Sequence, residues 1–264
     1  MYIDEQATPA FWDAHWETEG APRPVSKNDE VRVVTRKYLP QRARILEGGC
    51  GRGHKAQAMA EEGYEVVGVD FGARTVESAR ANFPSLDIRT GDVRSLEFPD
   101  EYFDGYWSIG VIEHFWNGYD AILQEAARVL KVGGFLFLTA PWFSPYRMRK
   151  ARRGHYPVTD YEKEPGGFYQ FALGRREIVE QLQRCGFQLV MWRGIASEIA
   201  LREDALRFSR LIDYLYGSRG SIFKRVLRKL ITPFLNRTCG HSFLAVARRV
   251  RPSVESSSVN AKLG

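Results

Sequence analysis

Three carboxylates and a run of glycines hold most of the chemistry this sequence can offer. Ile45-Leu46-Glu47-Gly48-Gly49-Cys50-Gly51-Arg52-Gly53 leads from an apolar run into a glycine-rich turn, and without a Cβ each glycine lets the backbone come close to a ligand. Val66-Val67-Gly68-Val69-Asp70 ends a second apolar run on a carboxylate, whose two oxygens are able to accept from both hydroxyls of a ribose. Gly91-Asp92-Val93 adds a third acidic tip. Taken singly, the glycines serve equally well as an ordinary strand-to-helix turn, and Asp70 or Asp92 as a cap on the helix that follows. Their order favours a nucleotide-like ligand at the carboxyl end of a first strand.

The elements that must position these groups are legible in the hydropathy. Strands read at residues 44–48, 65–69, 86–89, 103–109 and 134–140, with helices near 53–62, 73–82 and 118–130, the last ended by Gly133-Gly134. Short apolar runs alternating with helical stretches make an α/β fold, a parallel sheet covered by helices on both faces. Beyond Pro141 the pattern breaks into an aromatic and basic stretch to about Leu173, then resumes with a helix from Arg175 to Cys185 and a strand from Phe187 to Trp192. Residues 198–236 read as inserted helices, Ser242 to Ala247 as a final strand, and 251–264 as a disordered tail. One domain over 1–250 is expected, with its core at 44–195 and 241–248, a lid at 142–173 and a helical insertion at 198–236.

Together with Phe103-Asp104-Gly105-Tyr106-Trp107-Ser108 and Arg128-Val129-Leu130-Lys131-Val132-Gly133-Gly134, these segments resemble the ordered motifs of class I S-adenosylmethionine-dependent methyltransferases over residues 44–140, and again over 175–189. The resemblance implies a Rossmann-like, doubly wound sheet of seven strands in the order 3-2-1-4-5-7-6, the last antiparallel, and S-adenosyl-L-methionine as cofactor. It also implies roles for residues. Glu47, Gly49, Gly51 and Gly53 would surround the methionine part, Asp70 would hold the ribose and Phe71 would lie beside the adenine. Asp92 would accept from the adenine amino group, Val93 would pack on the ring, and Ser108 would line the methyl-transfer channel. Glu47 stands where the family more often has Asp, which keeps the charge.

A second reading is an NAD-dependent oxidoreductase, because Gly51-Arg52-Gly53-His54-Lys55-Ala56 satisfies G-x-G-x-x-G/A and Asp70 follows at a suitable distance. A pyrophosphate wants helix amides and no nearby anion, whereas Glu47 ends the strand feeding this loop. Acidic tips at 47, 70 and 92 suit a cationic sulfonium and its amino-acid tail better. A protein that binds the cofactor without turnover is the third reading.

For an acceptor hydroxyl, His114 in Val111-Ile112-Glu113-His114-Phe115 is the first candidate base, since an imidazole titrates near neutral pH; a histidine that only hydrogen-bonds its loop is the alternative. The Glu-His pair also resembles ubiquinone-pathway O-methyltransferases, in which a carboxylate three residues before the Glu helps bind a metal. Here that position is Gly110, so no metal is expected. Trp142, Tyr146, His155, Tyr156, Tyr161, Phe168, Tyr169 and Phe171 crowd the lid, where rings either wall an acceptor pocket or pack the lid on the sheet. Phe11 to Trp16 is a candidate cover for the cofactor. Ser108-Ile109-Gly110-Val111 lacks the Asn/Asp-Pro-Pro-aromatic loop of base-amino methylating enzymes, and no RNA-binding module is visible. A small-molecule, saccharide or lipid-linked acceptor is expected, with RNA the weaker alternative.

The 264 residues, 44% hydrophobic, suffice for one large core. Cys50, Cys185 and Cys239 are far apart, which supports neither a disulfide framework nor a zinc site. No leader-like start and no apolar run long enough to span a bilayer is present, so a cytoplasmic protein is expected. The net charge of +6 gathers at Arg147–Arg153 and at Lys224, Arg225, Arg228 and Lys229. Between the latter cations, Ile222, Phe223, Val226, Leu227, Leu230 and Ile231 repeat at helical spacing until Pro233, where a break is expected. Such a basic amphipathic segment, 219–231, either lies peripherally on the inner face of a membrane or caps the domain with its apolar face buried.

Overall fold

The computed structural model describes residues 8–18, 24–156, 168–204, 209–217 and 222–250. Among them, β1 (Arg44–Gly48), β2 (Glu65–Asp70), β3 (Asp87–Thr90), β4 (Phe103–Ile109), β5 (Leu130–Pro141), β6 (Phe187–Ile195) and β7 (Ser242–Arg249) make one sheet. Its order is β3-β2-β1-β4-β5-β7-β6, with β7 antiparallel to both neighbours. Order and direction agree with the expectation, and they differ from the six-strand dinucleotide-binding order 3-2-1-4-5-6.

Alternation along the strands sorts the side chains into two layers. Leu46, Tyr106, Leu136 and Leu138 share one core with Ile122 and Ala126 of α5 (Asp120–Val129) and with Ile178 and Leu182 of α7 (Arg175–Arg184). Ile45, Trp107, Phe137 and Val246 point the other way, packing with Met59 of α3 (His54–Ala60) and with Val31 and Val34 of α2 (Glu30–Tyr38). Sequence reading missed α2, whose interior is largely polar. Asp29 caps it by accepting from the Val31 amide at 3.1 Å. Its Arg32 is buried, donating to Ala58 O at 2.7 Å, and Thr35 accepts from the Trp107 indole at 2.9 Å.

Two boundaries need correction. Gly133-Gly134 does not end α5, which stops at Val129, because β5 already begins at Leu130 opposite Phe103. The glycines sit in the strand where its register slips, Gly133 at φ 88°, and a Cβ on Gly134 would stand 2.9 Å from Asp104 O. Nor does Pro233 break the last helix. After α8 (Ser197–Asp204) and α9 (Ser209–Tyr216), α10 runs from Ile222 through Pro233 to Cys239. The turns beyond the proline are pinned, since Asn236 Oδ1 accepts from the Ser197 amide at 3.1 Å and Cys239 is buried with Leu201 and Ile212. Ala205, Phe208, Tyr161 and the tail 251–264 lie outside the described residues. No helix among the described residues is long and apolar enough to cross a membrane.

Candidate functional site

At the carboxyl end of β1 the chain doubles back over β2. The amides of Gly49 and Cys50 donate to Val69 O at 2.8 and 3.0 Å. Gly49, Gly51 and Gly53 take φ of 73°, 50° and 78°, a left-handed conformation that residues with a Cβ adopt at a cost. Space is equally restrictive at Gly49, where a Cβ would lie 2.4 Å from Val111 Cγ2. Asp70 ties the turn down from below: its Oδ2 accepts from the Gly51 amide at 2.8 Å and its Oδ1 from Gly72 at 3.0 Å. Burial raises the Asp70 pKa, against those same amides, which favour the anion.

Gly49, Asp70, Phe71, Asp92 and Val93 all line one cavity of about 790 Å3. Glu47, Gly51, Gly53 and Ser108 stand outside its lining. Gly53 is the N-cap of α3 and meets Ile88, while Gly51 lies under the Trp16 indole. Glu47 and Ser108 are each 2% exposed, and Glu47 Oε2 and Ser108 Oγ are buried without a hydrogen-bond partner among the described residues. Burial pushes the Glu47 carboxyl up to about 8, with Lys55 pulling the other way. Asp92 is engaged rather than free: Arg94 grips both its oxygens, the shortest contact being 2.6 Å, and holds its pKa low. The loop carrying them is stapled from α5, where Arg128 donates to Leu96 O and Phe98 O at 2.8 and 2.7 Å.

The cover is α1 (Pro9–Thr18), whose Trp12, His15 and Trp16 line the cavity. The Arg52 guanidinium sits 5.5 Å from the Trp16 ring. Asp13 anchors this helix on α4 (Ala73–Asn82), accepting from the Thr75 amide at 2.9 Å and its hydroxyl at 2.8 Å. Burial opposes the Asp13 charge, but those two bonds and Arg74 keep its pKa below the usual value.

His114 lines the cavity on a 3-10 turn, Ile112–His114. Its Nδ1 is 2.6 Å from Tyr169 O; a carbonyl only accepts, so Nδ1 carries the proton and Nε2 keeps its lone pair. The expectation of titration near neutral pH is corrected, because burial lowers the imidazole to about 4. Beside it, Glu113 was overlooked as a site residue, although a carboxylate between Ile112 and His114 on an apolar stretch was a usable signal. It is 2% exposed, burial pushes it up to about 8, its Oε2 has no partner, and its Oε1 is 4.0 Å from His114 Nε2. Of the lid aromatics, Tyr169 faces the cavity, whereas Phe168 and Phe171 pack on Trp116 with ring centroids at 5.0 and 5.3 Å.

Residues 46–138 match the family described as methyltransferase domain. A probable S-adenosylmethionine-dependent methyltransferase of Mycolicibacterium smegmatis is 32% identical over 173 residues, 64% of this chain and 62% of that protein. The chain thus spans under two thirds of that relative's length. A ubiquinone biosynthesis O-methyltransferase of Xanthomonas axonopodis is 27% identical over 207 residues, 76% of this chain and 86% of the relative. Among solved structures, a SAM-dependent methyltransferase of Methanosarcina mazei superposes with TM-score 0.56 at 18% identity, covering 82% of this chain and 97% of that one, a likeness of fold.

Proposed function

We propose that the chain is a class I S-adenosylmethionine-dependent methyltransferase, as the match of residues 46–138 and the relatives support, and that it moves the cofactor's methyl group to an oxygen on a small-molecule, saccharide or lipid-linked acceptor. The observation that carries the cofactor reading is Glu47, a buried carboxylate with an unpartnered oxygen at the strand end that feeds the glycine turn. Such a carboxyl, which burial keeps protonated while it has no partner, ionises beside an ammonium and gains nothing from a pyrophosphate. The residues fit the group in other respects too: glycines whose Cβ atoms would close the turn, a carboxylate at Asp70 on the cavity wall, and an unpartnered Ser108 hydroxyl.

When bound, the cofactor supplies an electrophilic methyl carbon open to in-line displacement. This chain's part is alignment and proton removal. His114, its tautomer fixed by Tyr169, offers Nε2 to the acceptor hydroxyl, and ionised Glu113 steadies the imidazolium that results. The name of the Xanthomonas relative supports oxygen as the atom methylated. Calorimetry with S-adenosylhomocysteine, S-adenosylmethionine and NAD tests the cofactor; heat with NAD alone would move the enzyme to the oxidoreductases. Cell extracts incubated with methyl-labelled cofactor, followed by mass spectrometry of the labelled product, test the acceptor, and a label on nitrogen overturns O-methylation.

The proposal extends to location, as peripheral contact of 219–231 with an anionic inner membrane face. Its support is that α10 turns an apolar side outward: Ile222, Phe223, Val226, Leu230 and Phe234 are 52–74% exposed, which weighs against a cap with that face buried. Flotation with anionic and neutral liposomes is the test. Equal recovery with both, or binding that survives Phe223→Asp with Leu230→Asp, counts against it.

A further inference from the structure

A second cavity, about 1700 Å3, runs along the edge strand β6 between α7, α10 and α6 (Pro145–Arg152), and shares no lining residue with the first. Its charge is one-sided. α10 contributes Arg225, Arg228 and Lys229 to its lining, α7 contributes Arg175 and β6 Arg193, while Glu180 is the one acidic residue among those described in its lining. Two cations of the wall are already answered, Arg176 by Glu180 at 2.7 Å and Arg193 by Glu30. Arg225 and Lys229 make no ion pair among the described residues. Like charges gathered beside an apolar wall repel one another more strongly than in open water and call for an anion.

Part of the wall is apolar. Trp142, Met148, Leu189 and Trp192 form it, with Trp192 stacked on Phe243 at 4.3 Å and its buried indole N–H without an acceptor among the described residues. A helix normally packs with its apolar side toward the domain. α10 does the reverse, presenting cations to the cavity and its apolar residues to the outside, an arrangement that makes sense if the cavity holds a charged group. We propose that this groove binds an amphiphile carrying a phosphate group, with the phosphate among Arg225, Lys229 and Arg175, where guanidinium groups grip its oxygens in pairs, and with the hydrocarbon along Trp192, Leu189 and Met148. The site stands apart from the cofactor cavity and does not rest on the methyl-transfer reading.

The test is calorimetric titration of the full chain with three soluble probes: dihexanoylphosphatidic acid below its micelle concentration, inorganic phosphate, and dihexanoylglycerol. The phosphatidic acid should bind at least about tenfold more tightly than either of the others, since only it satisfies both walls. Arg225→Glu with Lys229→Glu should weaken it by a further factor of about ten or more while S-adenosylhomocysteine binding stays unchanged, which also certifies the fold of the variant. Equal affinity for inorganic phosphate would reduce the groove to a general anion patch, and equal affinity for dihexanoylglycerol to an apolar one. Either result, no binding at all, or binding indifferent to charge reversal overturns the proposal.

Discussion

Asp70 does two jobs at once, and that makes it the sharpest place to perturb. Its carboxylate takes the Gly51 and Gly72 amides at 2.8 and 3.0 Å while lining the cavity. Asp70→Ala leaves two amide donors without an acceptor, each costing about 1–3 kcal/mol where it stays dry. The loss of roughly 2–6 kcal/mol should lower Tm by about 5–20 °C at 2–4 °C per kcal/mol for a chain of this size. Asp70→Asn keeps one acceptor oxygen and puts its amide NH2, itself a donor, against the other backbone donor, so its penalty is near half of that. Both variants should also lose about 1.5–3 kcal/mol of S-adenosylhomocysteine affinity, roughly 10- to 150-fold, through the ribose hydroxyls. Thermal denaturation and calorimetry on the same preparations separate the two jobs. A lowered Tm with full affinity would refute the ribose role, and an Asp70→Asn protein with unchanged Tm would refute the turn-anchoring argument.

Glu47 and Glu113 have folded pKa values near 8 against an ordinary value of 4.5, so between those limits the folded chain holds protons that the unfolded chain releases. Stability without cofactor should therefore fall as pH rises from about 5 to 8, and urea midpoints should show a flatter slope in Glu47→Gln; an unaltered slope contradicts the assignment. With the true acceptor, His114→Ala should cut turnover about 10²-fold or more with cofactor affinity intact, and unchanged turnover removes His114 from the mechanism. If ionised Glu113 steadies the imidazolium, kcat should rise through about pH 8 in the native chain and lose that limb in Glu113→Gln, which a pH–rate profile reads directly. Gly49→Ala combines a left-handed φ with a 2.4 Å clash on Val111, and should lose about 2–5 kcal/mol. Adding Val111→Ala should relieve the clash but not the strain, and full recovery would show that φ was never limiting.

The sheet was readable because β1, β2, β4 and β5 are nearly continuous apolar runs, the mark of strands buried on both faces. Gly49, Asp70 and Asp92 were readable for a related reason, since motif residues sit at strand ends where the pattern stops. What stayed hidden depends on partners distant in sequence. The state of His114 comes from burial under Trp12 and Tyr169, and nothing local announces it. Pro233 signals a break by its own chemistry, yet the anchoring of Asn236 some forty residues from Ser197 overrides it. An amphipathic pattern likewise marks α10 as two-faced without saying which face meets the domain.

Asp13 couples two parts of the chain that look independent. Gly72, at the N-cap position of α4, has no side chain to offer, and the carboxylate of α1 answers the Thr75 amide in its place. The first turn of a core helix therefore ends on a residue borrowed from the cover. Opening the cover must fray that turn, which begins two residues after Asp70, and fraying the turn must loosen the cover. Cover closure and the order of the Asp70 turn are thus one equilibrium seen from two ends. Removing the segment before residue 24 would take away a lid and at the same time uncap a helix of the core.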